Sequence, residues 1–213
     1  MSKATGARQR IIAAARNSIL EKGFGATSID ELIAEAEITK SGFFYHFKDK
    51  GELARVLLEE YIEEEEVLFD QIFDQGKDLA DDPLQAFLIS LKLLARMVED
   101  LPTGHPGCLI ATYCYQERLF DREVRDLNRK AVLAWRARFR ATLDEIAERY
   151  PPKEEIDLDA LADMVSTVLE GGIVMSKALA KPRVLSEQVL LFRNLLKAMF
   201  LPEAQLSRPA ASA

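Results

Sequence analysis

The run Ala36-Glu37-Ile38-Thr39-Lys40-Ser41-Gly42-Phe43-Phe44-Tyr45-His46-Phe47-Lys48-Asp49-Lys50 holds the side chains with the clearest chemical use. Lys40, Ser41 and Gly42 place one charge and two small residues together, so the backbone there can approach another surface closely. Tyr45, His46, Lys48 and Lys50 are donors of the kind that engage phosphate oxygens. Thr27 and Ser28, at the head of the preceding apolar segment, add two hydroxyls to that set. This is recognition chemistry, with no bond made or broken.

Catalysis has no comparable set. The chain has two histidines, His46 and His105, and no H-E-x-x-H, G-x-S-x-G, C-x-x-C or P-loop spacing. No catalytic residue, no metal ligand and no cofactor is therefore expected. The acidic run Glu63-Glu64-Glu65-Glu66 wraps around a helix, and adjacent helical residues point in different directions. It reads as a solvated stretch. The two cysteines, Cys108 and Cys114, imply no disulfide framework and a reducing cytoplasm. Pro106-Gly107-Cys108 puts a thiol at a helix start, where the dipole lowers a thiol pKa. A thiol that senses electrophiles or oxidants and a small buried residue both remain open readings.

Helices must position these groups. Ile29, Leu32 and Ile33 form one apolar patch, headed by the capping types Thr27 and Ser28. Thr39 can cap a second short helix from Lys40, which neighbours must hold because it is too short to stand alone. Two short helices at a tight turn make a helix-turn-helix, whose second helix reads base edges from its N-terminal half. Before them, Arg8 to Lys22 is helical with Ile12, Ala15, Ile19 and Leu20 on one face. Residues 1–7 are small and polar and are expected to be disordered, though Lys3, Arg8 and Arg10 could reach phosphates. Phe24 is expected to plug the core of the small three-helix domain.

Beyond it, the spacing predicts a long helix from about Asp49 to Phe73, a linker over Gly76–Asp82, and a helix capped by Asp81 or Asp82 with Pro83 in its first turn. A short helix over Cys108–Glu117 and a long one from Asp121 to Tyr150 follow. Two strongly apolar helices, 157–181 and 185–200, close the series. No period-2 stretch interrupts them. The chain is all-α, with about nine helices. The last two are apolar around most of their circumference, which calls for burial on several sides. A second copy of the chain would supply it. Gly171-Gly172 allows either close helix approach or a local bend.

Composition agrees with a helical globular protein: 48% hydrophobic, 30% charged, 213 residues. No apolar leader or membrane-length run occurs, so no membrane partner is expected. The net charge of −7 is uneven, since residues 1–50 carry eight Lys/Arg against six Asp/Glu while the rest is strongly acidic. A local basic footprint on an acidic body suits DNA binding.

The run from Ala36 to Lys50 resembles the DNA-binding signature of TetR-family transcriptional repressors, in which a turn precedes a short recognition helix ending in Tyr-x-His-Phe, followed by Lys-x-Lys. Glu37 stands where that family usually has Gly, Phe44 where Tyr is common, and Asp30 where Arg is frequent. Glu170-Gly171-Gly172 is similar to the family's penultimate helix, which pairs with the last helix in a two-fold four-helix interface.

The resemblance implies a helix-turn-helix domain over 1–50, a ligand-binding and dimerisation domain over 51–205, and a disordered tail over 206–213. It implies a homodimer through the helices at 157–181 and 185–200, bound to a palindromic double-stranded DNA operator and released by a small apolar or amphipathic inducer. Lys40, Ser41, Gly42 and Phe44 would then face bases, and Thr27, Ser28, Tyr45, His46, Lys48 and Lys50 would support binding along the backbone. Inducers of that family sit among the central helices, which nominates Met97, Cys108, Tyr113, Tyr115, Trp135, Phe139 and Met164, with Cys114 nearby. An all-α enzyme or small-molecule carrier without sequence-specific DNA binding, and an interaction protein that binds another chain, are the competing classes.

Overall fold

The computed structural model describes residues 3–201, with side chains from residue 6 onward. Among them are nine α-helices, one 3-10 turn and no strand. The helices are α1 (Lys3–Lys22), α2 (Ile29–Glu35), α3 (Lys40–His46), α4 (Lys50–Leu79), α5 (Pro83–Glu99), α6 (Leu109–Tyr115), α7 (Arg122–Arg149), α8 (Leu158–Ala178) and α9 (Arg183–Phe200). The expected tail over 206–213 lies outside the described residues. α1 begins at Lys3, so the expectation that residues 1–7 are unstructured is corrected from that point on.

Two compact units share the chain: Met1–Val67 with Pro106–Val132, and Leu68–His105 with Leu133–Ala213. In the first, α1 to α3 close over Ile11, Ile12, Ala15, Ile19, Leu32, Phe43 and Phe47, with Leu53 and Leu57 of α4 buried alongside. Caps fix the short helices. Ser28 accepts from the Glu31 N–H and Thr39 from the Gly42 N–H, each satisfying a donor the helix start leaves unpaired.

Polar groups that look free in the sequence brace this unit. Arg8 pairs with Glu60 at 2.8 Å and lies over the Phe47 ring, while Arg10 donates to the Ala36 carbonyl at 2.9 Å. Arg8 and Arg10 are therefore struts, correcting their assignment to phosphates. Arg16 forks onto Glu64 at 2.7 and 2.9 Å. Glu65 is half-buried beside the Tyr61 hydroxyl, and burial holds its carboxyl above the usual range. The acidic run is thus partly structural.

Phe24 is buried, and its ring reaches beyond the three-helix set. It packs on Phe120, 4.6 Å between ring centres, and Tyr113, 6.4 Å. The Tyr113 hydroxyl donates to the Ala54 carbonyl at 2.9 Å, and burial raises its pKa. Gln116, at the end of α6, accepts the Gly25 N–H at 3.1 Å. α6 and the 3-10 turn after it (Glu117–Leu119) therefore strap the α1–α2 connection.

In the second unit α9 packs against both α5 and α8. Asp82 caps α5, with Pro83 opening the helix, and Asp157 caps α8. α4 continues through the expected linker to Leu79. The reason is Gly76, which is buried: a Cβ there would lie 2.0 Å from Ser90 Oγ and 2.7 Å from the Ala86 carbonyl, so Gly76 admits α5. Gly172 does the same against Leu185, whereas Gly171 has open space around it. Both glycines lie inside the uninterrupted helix α8.

Candidate nucleic-acid interface

Seven residues, Lys40–His46, make α3, and its pattern separates an inner from an outer face. Phe43 and Phe47, four apart, are fully buried and anchor the helix to the core. Lys40, Ser41, Phe44, Tyr45 and Lys48 are exposed. Tyr45 is 79% exposed and Phe44 47%, which is costly for aromatic rings unless another surface covers them. His46, half-buried, meets the Tyr45 ring edge-to-face at 5.0 Å.

The α2–α3 turn is sharp. Glu37 takes φ +51, the left-handed region that glycine adopts without strain. Glu37 thus keeps the glycine conformation at a steric cost and sends its side chain into solvent. Asp30, on the first turn of α2, stands 3.6 Å from the Lys40 ammonium and partly neutralises it.

Two expected phosphate donors face inward. Thr27 is 2% exposed; its hydroxyl donates to the Gly23 carbonyl at 3.0 Å and shares a hydrogen bond with Ser18. With its N–H on the Phe24 carbonyl as well, Thr27 has no donor left for a phosphate, and its assignment is corrected. Lys50 donates to the Phe24 carbonyl and caps the Phe24 ring at 4.0 Å. Burial pulls its pKa down, and it too is a strut. Ser28 is exposed but occupied in capping. The surface that remains is Lys40, Ser41, Gly42, Phe44, Tyr45, His46 and Lys48.

The expected ligand residues are divided between the two compact units. In the first unit Cys108 is half-buried, caps α6 through its sulfur and lies in hydrogen-bond contact with the buried Tyr61 hydroxyl. Tyr113 is buried, whereas Tyr115 is 80% exposed and lines nothing. In the second unit Trp135 and Phe139 pack edge-on against Phe69, at 6.0 and 5.7 Å. The Trp135 indole N–H is buried without a partner among the described residues. Met97 is half-buried, and Met164 is 38% exposed on the outer face of α8. Tyr115 and Met164 are corrected from pocket-lining to surface positions. Sequence reasoning missed Asn128, whose 7% exposure and position between Val124 and Ala131 put an amide on the buried stripe of α7. A polar residue at apolar register was its only signal.

A short helix held by buried aromatics and presenting lysines and exposed rings, behind a tight turn, defines a helix-turn-helix DNA-binding domain. Residues 11–57 match the family profile described as "Bacterial regulatory proteins, tetR family". The chain is similar to the transcriptional regulator AcuR of Cereibacter sphaeroides, 26% identical over 83% of this chain and 78% of that protein. It is also similar to the HTH-type transcriptional repressor DhaR of a Mycobacterium species, 23% identical over 81% and 83%. Its fold matches a TetR-family regulator from Agrobacterium tumefaciens at a TM-score of 0.76, with 18% identity over 93% of this chain and all of that one. Residues 11–57 thus match the DNA-binding part of TetR-family regulators, and the similarity to transcriptional regulators extends over most of the chain. Among the described residues, no helix is long and apolar enough to cross a membrane.

Proposed function

We propose that the protein is a ligand-responsive repressor that binds a palindromic operator as a homodimer in the cytoplasm and leaves it when a small inducer binds. Residues 1–50 would form the DNA-binding part and 51–205 the ligand-binding and dimerisation part. The observation that carries the reading is the outer face of α3, where Phe44 and Tyr45 stand exposed between Lys40 and Lys48. Lys40, Ser41, Gly42 and Phe44 face bases, and Tyr45, His46 and Lys48 hold phosphates. The name of DhaR supports repression over activation.

Dimerisation uses α8 and α9. Val174, Met175, Leu190, Leu191 and Leu195 are exposed there, a larger apolar face than a protomer keeps in water. Two-fold symmetry sets the recognition helices about one DNA turn apart, roughly 34–36 Å. The inducer acts by preferring a conformation in which α4 holds a different separation, because only a difference in affinity between states shifts them.

Selection of random duplex DNA by the purified protein at one fixed salt concentration tests the reading. A palindrome should emerge, its specificity relaxed by Lys40→Ala and its affinity lowered by Tyr45→Ala. A folded dimer that enriches no motif would sink the proposal.

A further inference from the structure

Among the exposed side chains of α3, Phe44 alone has no polar atom. It keeps 47% of its surface in water, while Phe43 beside it is fully buried. The two rings meet edge-to-face, 5.4 Å between centres and 83° between planes, so a core residue braces the exposed one. A ring already braced loses little freedom when another surface covers it.

Its place in the helix decides what that surface is. Lys40 and Ser41 stand four and three residues before Phe44 on the same face, and helical side chains lean towards the N-terminus. The ring therefore lies over the turn that a helix-turn-helix presents to base edges. The small Ser41 side chain leaves room for it there. Tyr45, one residue on, is turned about 100° around the helix and meets the His46 ring at 5.0 Å, in keeping with a place along the phosphates.

A phenyl ring has no hydrogen-bonding atom, so it cannot read the donor and acceptor pattern of a base pair. The faces of the bases are stacked inside a duplex and closed to it. The major-groove edge offers one apolar group, the 5-methyl of thymine.

We propose that Phe44 is a specificity-determining residue that packs on a thymine methyl in each operator half-site. Residues four apart on a helix are about 6 Å apart along its axis, less than two base-pair steps of about 3.4 Å. The thymine therefore lies within about two base pairs of the base that Lys40 reaches. This inference rests on the regulator reading, and the experiment separates the two.

The test uses the wild-type protein and the operator recovered by selection, with each half-site thymine replaced in turn, in both half-sites together, by deoxyuridine. That exchange removes the 5-methyl and leaves base pairing and the hydrogen-bonding edge as they were. At one fixed salt concentration, one position should weaken binding about tenfold or more, from roughly fourfold for each lost methyl contact. Phe44→Ala should bind the thymine and deoxyuridine operators alike, whereas Phe44→Leu, still apolar, should keep most of the preference. A deoxyuridine penalty that survives undiminished in Phe44→Ala, or no thymine whose methyl matters, overturns the contact and leaves the regulator reading standing. The sensitive thymine should also lie within about two base pairs of the position whose preference relaxes in Lys40→Ala, and a greater separation overturns the shared-face placement. Selection that enriches no motif sinks the regulator reading and this inference with it.

Discussion

At the scale of single residues, Asp30 is a strange neighbour for Lys40, the lysine proposed to read DNA. Its carboxylate is 83% exposed and lies 3.6 Å from the Lys40 ammonium. In the free protein an exposed pair like this contributes little to stability. Against DNA it matters more, because the carboxylate repels phosphates and must be peeled from Lys40 before Lys40 can reach a base. Asp30→Asn should leave thermal stability nearly unchanged and tighten operator binding by about 0.5–1 kcal/mol, a several-fold gain. Gel-shift titrations at two salt concentrations would show it, and an unchanged or weaker affinity would mean Asp30 faces away from the duplex. The sequence displayed which residues can donate, but not which way they point. Ser28, Thr39, Asp82 and Asp157 were readable as caps, since capping is local and set by residue type. Thr27 and Lys50 were misread as phosphate donors because their partners, Ser18, Gly23 and Phe24, come from a neighbouring turn that spacing does not locate. Asn128 was missed for the same reason.

At the scale of elements, periodicity found every helix and erred where a glycine served packing. Gly76 looked like the start of a linker, since an isolated glycine near a helix end weakens the helical pattern. It is instead the point where α4 admits α5, with Ser90 Oγ and the Ala86 carbonyl in the space a Cβ would fill. Gly76→Ala gains helix propensity but overpacks that crossing, and should cost about 1–3 kcal/mol in chemical unfolding at fixed protomer concentration. Ser90→Ala in the same chain should restore only part of the loss, because the Ala86 carbonyl is backbone and cannot move aside. Full restoration would mean that the hydroxyl alone sets the crossing distance. The strap formed by α6 was illegible for a different reason. Its hold on Gly25 through Gln116 spans 91 residues of chain, a pairing no local pattern encodes.

At the scale of the whole molecule, the apolar excess of the last two helices was visible in the sequence, and the structure shows what it leaves uncovered. Met164, Val174 and Met175 on α8 and Leu179 at its C-terminal cap, with Leu190, Leu191 and Leu195 on α9, are all more than a third exposed. The inward face is complete without them: Leu161, Val165, Ile173, Val189, Phe192 and Leu196 are buried within the protomer. Charges on the outer face should therefore break assembly without unfolding the chain. Met175→Glu combined with Leu191→Glu is expected to yield a monomer by sedimentation, with its helical circular dichroism retained. The consequence for DNA is larger than the change suggests. A dimer places its second recognition helix at the other half-site at an effective concentration in the millimolar range, so a monomer forfeits about 10²–10⁴ in operator affinity. Each monomer should still footprint one half-site at high concentration, because Lys40, Tyr45 and Lys48 are untouched. A variant that stays dimeric would move the interface away from α8 and α9, and one that is monomeric yet binds the full operator undiminished would show that two-fold pairing does not set the affinity.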